Sequence, residues 1–202
     1  WGSYLGEEAL EMGVRACVSN YTRHHINAVM TKAKVAGNYP NSMMAKTDAL
    51  RAGFEEAILL DTNGYVAECT GENLFLVRDG AIYTPPTAPV LEGITRDTIK
   101  TLANELGYPV LESQVSRDQL YIADEVFVCG TAAECIALCE IDFRTIGDGK
   151  MGPVTHTVQK AFQAAIRGRH PHSAEWLDYV TTAVADVVPV EEASVDLGSF
   201  AD

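Results

Sequence analysis

A lysine set among small and apolar residues is the first place where this sequence could do covalent chemistry. Lys34 stands in the run KAKVAGNYP, between Ala33 and Val35, with Gly37 and Tyr39 close behind. Such surroundings would strip water from the ammonium, lower its pKa and free a nucleophilic amine near neutral pH. The competing reading is a solvated loop lysine, the common state of an unpaired lysine. A second signal is Glu68 in AECTGENLF, at the end of a hairpin strand. A carboxylate there could hold a protonated heterocyclic nitrogen, or it could stand in water. The third is GITRD at 93–97, where a glycine and then Thr95 open a helix. Free N–H groups and a hydroxyl at such a start suit an anion such as phosphate. Alternatively Thr95 only caps its own helix, worth about 1 kcal/mol. The fourth is Gly130, Thr131, Ala132 and Ala133, small residues after an apolar strand. They leave room for a ligand and offer N–H groups, or they form a tight turn.

Composition narrows the partners. The 202 residues carry 15 Lys plus Arg against 28 Asp plus Glu, a formal net charge of −13. That balance argues against a nucleic-acid ligand, which needs clustered cations. No apolar stretch approaches the roughly 20 residues of a membrane span, so no membrane partner is expected. Cys17, Cys69, Cys129, Cys135 and Cys139 form no CxxC pair, and most lie among apolar residues, which points to reduced thiols and a cytoplasmic protein. A cysteine nucleophile at Cys129 or Cys135 with His156 lacks any surrounding signature. A metal site from His24, His25 and His156 is disfavoured because neighbouring histidines point apart on a strand; His24 and His25 read as a solvated loop.

The elements that must position these residues are legible as an α+β pattern. Strands are expected over 13–21, 56–60, 65–68, 74–78, 81–84, 110–114, 125–129, 135–141 and 143–146. Asp61, Thr62, Asn63 and Gly64 make one hairpin turn, and Asp79 with Gly80 another. Helices are expected over 42–52 (on Met43, Met44, Thr47 and Leu50), 95–106 (on Ile99, Leu102 and Leu106), 116–120 and 153–166, with a short one near Trp176. Residues 1–180 read as one domain, and 181–202 as a loosely ordered acidic tail.

The order of the four signals is that of the parts needed to hold pyridoxal phosphate: an amine, a carboxylate and two anion sites. The chain resembles the large domain of the fold-type IV pyridoxal-phosphate enzymes, and among them the branched-chain amino-acid aminotransferases. The resemblance rests on KVAGNY (34–39), DTNGY (61–65), ECTGENLF (68–75), GITRD (93–97), YIADEVF (121–127), GTAAE (130–134) and GPVT (152–155). It implies a barrel-like sheet of hairpins with flanking helices. It implies that Lys34 carries the cofactor covalently, Tyr39 bonds its phenolic oxygen, Glu68 pairs with its ring nitrogen and Leu91 packs on the ring. Ile94, Thr95 and Thr131 would bind the phosphate, and Thr131 and Ala132 the substrate carboxylate. The implied reaction moves an amino group from L-leucine, L-isoleucine or L-valine to 2-oxoglutarate, in a homo-oligomer.

Alternatives within the resemblance are a D-amino-acid aminotransferase or an aminodeoxychorismate lyase; outside it, a non-catalytic fragment. The chain opens on Trp1, not Met. Enzymes of the resembled family carry a further N-terminal domain that supplies an arginine to the phosphate, and neither Arg51 nor Arg96 matches it. The expectation is a shortened form with weak cofactor binding and poor turnover.

Overall fold

The computed structural model describes residues 4–6 and 8–180, so the expected tail over 181–202 lies outside the described residues. The fold is mixed α+β. Its strands are β1 (Val14–Thr22), β2 (Glu56–Leu60), β3 (Val66–Cys69), β4 (Asn73–Arg78), β5 (Ala81–Thr84), β6 (Val110–Glu112), β7 (Glu125–Gly130), β8 (Glu134–Ile141) and the short β9 (Arg144–Thr145). Its helices are α1 (Ala9–Met12), α2 (Pro40–Arg51), α3 (Ile94–Glu105), α4 (Arg117–Tyr121), α5 (Pro153–Ile166) and α6 (Ser173–Trp176). The sequence reading anticipated most of these. It missed α1 and the 3-10 turn Ala36–Asn38, and it drew the ninth strand too long, because Asp142 and Phe143 both adopt positive φ.

The strands join in the order β3-β2-β1-β8-β7-β4-β5-β6, with β9 on β8. The expected hairpins β2–β3 and β4–β5 are antiparallel, as is β7–β8. Three pairings are parallel: β1 with β2, β1 with β8, and β5 with β6. Parallel neighbours need crossovers, and α2 and α3 supply two of them. The sheet curls until its ends approach: Val66 on β3 donates its N–H to the Val115 carbonyl, beyond β6, at 2.8 Å.

Strands β4 and β7 lie buried on both faces, which explains their unbroken apolar runs. Leu74, Leu76, Val126 and Val128 point into the curl beside Val18, Ile58 and Leu138. Phe75, Val77 and Phe127 point the other way, under Ile99 and Leu102 of α3 and Val158 and Phe162 of α5. Phe75 and Phe127 stack with centroids 5.0 Å apart. Helix α2 differs from expectation. Met43, Met44 and Leu50 are exposed, and the buried face is Ser42, Ala45 and Ala49. Small residues there let the helix lie close to β1 and β2.

Phe127 is fully buried between two helices and a stacked ring. Phe127→Ala is expected to lower the unfolding free energy by roughly 3–5 kcal/mol. A urea midpoint equal to that of the parent chain would contradict the packing described.

Candidate active site

The site opens where the β3–β4 turn and the β7–β8 turn meet the loop before α2 and the first turn of α3. Lys34, Tyr39, Glu68, Leu91, Ile94, Thr95 and Thr131 line one cavity of about 270 Å³. Ala132 lines an adjoining cavity of about 500 Å³, which shares Lys34, Tyr39, Thr70, Gly71 and Glu72 with the first. All eight residues singled out from the sequence therefore surround two neighbouring hollows.

Of the two readings of Lys34, the structure shows the solvated loop lysine. It is exposed, as are Val35 and Ala36, so the apolar neighbours do not desolvate it. Its loop is fixed by polar ties instead. Asn38 donates from Nδ2 to the carbonyls of Met30 (2.9 Å) and Ala33 (2.8 Å). Lys32 reaches across to the Val90 carbonyl at 2.9 Å and pairs with Glu92, which binds this loop to the one ahead of α3.

Glu68 is buried, not solvated. Its Oε1 lies 2.6 Å from Nε of Arg23. Its Oε2 accepts from the Leu91 N–H at 3.1 Å and from Asn73 Nδ2 at 3.3 Å, while Asn73 also donates to the Leu91 carbonyl at 2.9 Å. One carboxylate thus anchors β3, β4 and the loop that carries Leu91. Burial pushes its pKa up to about 7, although Arg23 and the Leu91 N–H pull the other way. Arg23, placed by sequence reading in a polar loop with His24 and His25, is itself buried, and His24 is half-buried at 3.2 Å from its guanidinium. Nothing in the local spacing marks Arg23; its role follows only from the approach of the end of β1 to β3.

Helix α3 begins at Ile94 with Gly93 as its cap and no side-chain cap, so Thr95 does not close its own helix. A Cβ on Gly93 would collide with Oδ1 of Asn73. Ile94 and Thr95 therefore present early N–H groups toward the cavity, as the first turn of any helix does. Opposite, β7 ends at Gly130 and Thr131 stands exposed in the turn to β8. A Cβ on Gly130 would approach the Gly71 carbonyl to 3.2 Å, so the two turns touch backbone to backbone.

Beside the cavity lies a buried group that the sequence reading did not isolate. Glu56, fully buried, accepts from Lys46 Nζ (2.6 Å), Thr70 Oγ1 (2.6 Å), the Ala57 N–H (2.7 Å) and the Thr70 N–H (3.2 Å). Glu72 accepts from the Gly71 N–H at Oε2 (3.1 Å), and its buried Oε1 has no partner. Burial, reinforced by the negative charge of Glu56, pushes Glu72 up to about 8. Cys129 and Cys135 face each other across β7 and β8, fully buried, and burial raises both thiols. His156 is exposed on α5, so the alternative cysteine chemistry has no reactive thiolate. No cluster of metal-ligating side chains occurs among the described residues, and no helix there is long and apolar enough to cross a membrane.

Comparison with known proteins agrees with this geometry. The family described as amino-transferase class IV matches residues 2–141. A branched-chain-amino-acid aminotransferase of Pseudomonas aeruginosa is 51% identical over 176 residues, 87% of this chain and 57% of that protein. The crystal structure of the Escherichia coli branched-chain amino acid aminotransferase superposes with a TM-score of 0.87 at 48% identity, covering 90% of this chain and 60% of that one. The enzyme of the same name from Thermobaculum terrenum, solved in its PLP-form, gives a TM-score of 0.82 at 37% identity over 85% of this chain and 57% of that one. The chain thus spans about three fifths of the length of these relatives. The chain belongs to the class IV aminotransferase family.

Proposed function

We propose that this chain carries the pyridoxal-phosphate site of a transaminase that moves the amino group of L-leucine, L-isoleucine or L-valine to 2-oxoglutarate. The observation that carries this reading is the meeting of Lys34, Tyr39, Glu68, Leu91, Ile94, Thr95 and Thr131 around one cavity. The names of the relatives support the substrate class. The five free cysteines support a cytoplasmic setting, and residues 1–180 are read as the cofactor-binding domain of a homo-oligomer.

The donor set fits the cofactor. A buried carboxylate suits a protonated ring nitrogen, the first turn of α3 suits a phosphate, and an amine stands at the rim. Bound there, pyridoxal phosphate supplies an electron sink for the carbanion left at the substrate Cα. Lys34 is its covalent anchor. The Glu68 carboxylate holds the proton on the ring nitrogen, and Tyr39 donates its hydroxyl to the phenolic oxygen. Leu91 packs on the ring. Ile94, Thr95 and Thr131 bind the phosphate through N–H groups and hydroxyls. Thr131 and Ala132 offer N–H groups to the substrate carboxylate. Lys34 Nζ, at the rim of both hollows, would take the proton from the substrate Cα.

The visible spectrum of the chain with pyridoxal phosphate tests this. A band that is absent in Lys34→Ala and that bleaches on adding L-leucine is expected. A band indifferent to Lys34, or one bleached by D-leucine and not L-leucine, would refute the assignment.

Glu68 makes a second prediction. Its folded pKa of about 7 lies above the ordinary 4.5, so between those values the folded chain holds more protons than the unfolded one. Stability is therefore lost as pH rises through that window. Carboxylates such as Glu112, held low by Lys100, contribute in the opposite sense, but fully above 4.5 already. The cofactor-free chain should melt at lower temperature near pH 8 than near pH 5.5, and Glu68→Gln should flatten the slope. Because His24 and His170, lowered by burial, act in the opposite sense in this window, the decisive reading is the variant: a profile unchanged by Glu68→Gln would contradict the burial of an ionisable Glu68.

A further inference from the structure

Of the three buried carboxylates around the site, two are fully engaged. Glu56 accepts four hydrogen bonds and lines neither cavity. Glu68 is committed to Arg23, Asn73 and Leu91. Glu72 differs. It is almost wholly buried, its Oε2 is fixed by the Gly71 N–H, and its Oε1 has no partner in the protein. It also lines both cavities, as Lys34 and Tyr39 do. A buried carboxyl oxygen with nothing to bond is costly, and it is tolerated where a ligand supplies the partner.

An amino acid reaching Lys34 brings an ammonium group that must lose a proton before its nitrogen can attack. We propose that Glu72 Oε1 accepts that proton. This rests on the transaminase reading above. The O–H bond forms on Oε1, the N–H bond of the substrate breaks, and the electron pair stays on the nitrogen. The carboxylate is neutralised and the amine is released uncharged.

The groups that face Glu72 set when it can act. Lys46 comes from α2, Glu56 from β2, Glu68 and Cys69 from β3, and Cys129 from β7. Tyr4, Lys34 and Tyr39 line the larger cavity with it. Glu56 and Lys46 are bonded to each other, so the pair leaves Glu72 without a cation of its own. Burial beside Glu56 pushes Glu72 up to about 8, and an incoming ammonium favours the charged form, which is the form that takes up the proton.

The test compares Glu72→Gln and Glu56→Gln with the parent chain. Glutamine keeps the shape of Glu72 and cannot take up the proton. In Glu72→Gln, pyridoxal-phosphate affinity should stay within about twofold, while L-leucine bleaching slows about 100-fold and loses its rise with pH. In Glu56→Gln that rise should move to lower pH, because the carboxylate that opposes ionisation of Glu72 is gone. Carbon-13 NMR of the glutamate-labelled, cofactor-free chain gives an independent reading. Two carboxyls should titrate well above the rest, Glu68 near 7 and a second near 8, and the second should vanish in Glu72→Gln and shift down in Glu56→Gln. Bleaching of Glu72→Gln at the parent rate, or no such second carboxyl, overturns the proposal. A missing Lys34-dependent band in the parent overturns the functional reading and this proposal with it; a normal band with an indifferent Glu72→Gln overturns this proposal alone.

Discussion

The burial of one negative charge at Glu68 organises this molecule. Removing a carboxylate from water costs several kcal/mol, and the chain offsets that cost only in part. Arg23 supplies the counter-charge, and the Leu91 N–H and Asn73 amide supply hydrogen bonds. Each contribution comes from a different segment, so the carboxylate cannot be satisfied unless the end of β1, the start of β4 and the loop before α3 all converge. Its pKa still lies well above the ordinary carboxylate value, because burial outweighs the partners.

The neighbouring carboxylates meet the same constraint differently. Glu56 is fully buried yet saturated, with Lys46 as counter-ion and three further donors. Lys46 keeps its charge although burial opposes it, because Glu56 outweighs that penalty. One ammonium serves one carboxylate, so Glu72 is left to stay neutral. A carboxyl pushed up to about 8 is placed to act as an acid or base near neutral pH.

What could be read in the sequence follows from the range of the interactions. Periodicity and turn chemistry are local, so hairpins such as β2–β3 around Gly64 and helices such as α3 were legible. The start of a short helix at Ser116 was legible, and its box with Gln119 opens α4. The motifs around Lys34, Glu68, Thr95 and Thr131 named side chains that do meet at one cavity. The parallel pairings of β1 were not legible, because period-two patterning does not say which strand lies alongside. Arg23 was lost for the same reason: an arginine beside two histidines looks solvated until β1 is laid against β2. Lys34 shows the converse. Apolar neighbours in sequence did not become apolar surroundings in space, because the loop turns Val35 and Ala36 outward.

That exposure of Lys34 has a consequence for how the site works. Lys34 combines an anchored backbone with a free side chain. The structure separates the two. Asn38 pins the loop to its own carbonyls and Lys32 pins it to the segment before α3, so the Cα of Lys34 is fixed relative to Glu68 and Thr95. The four-carbon stem extends from that point along the lining of both hollows. The fold buries the carboxylates and leaves the amine at the rim.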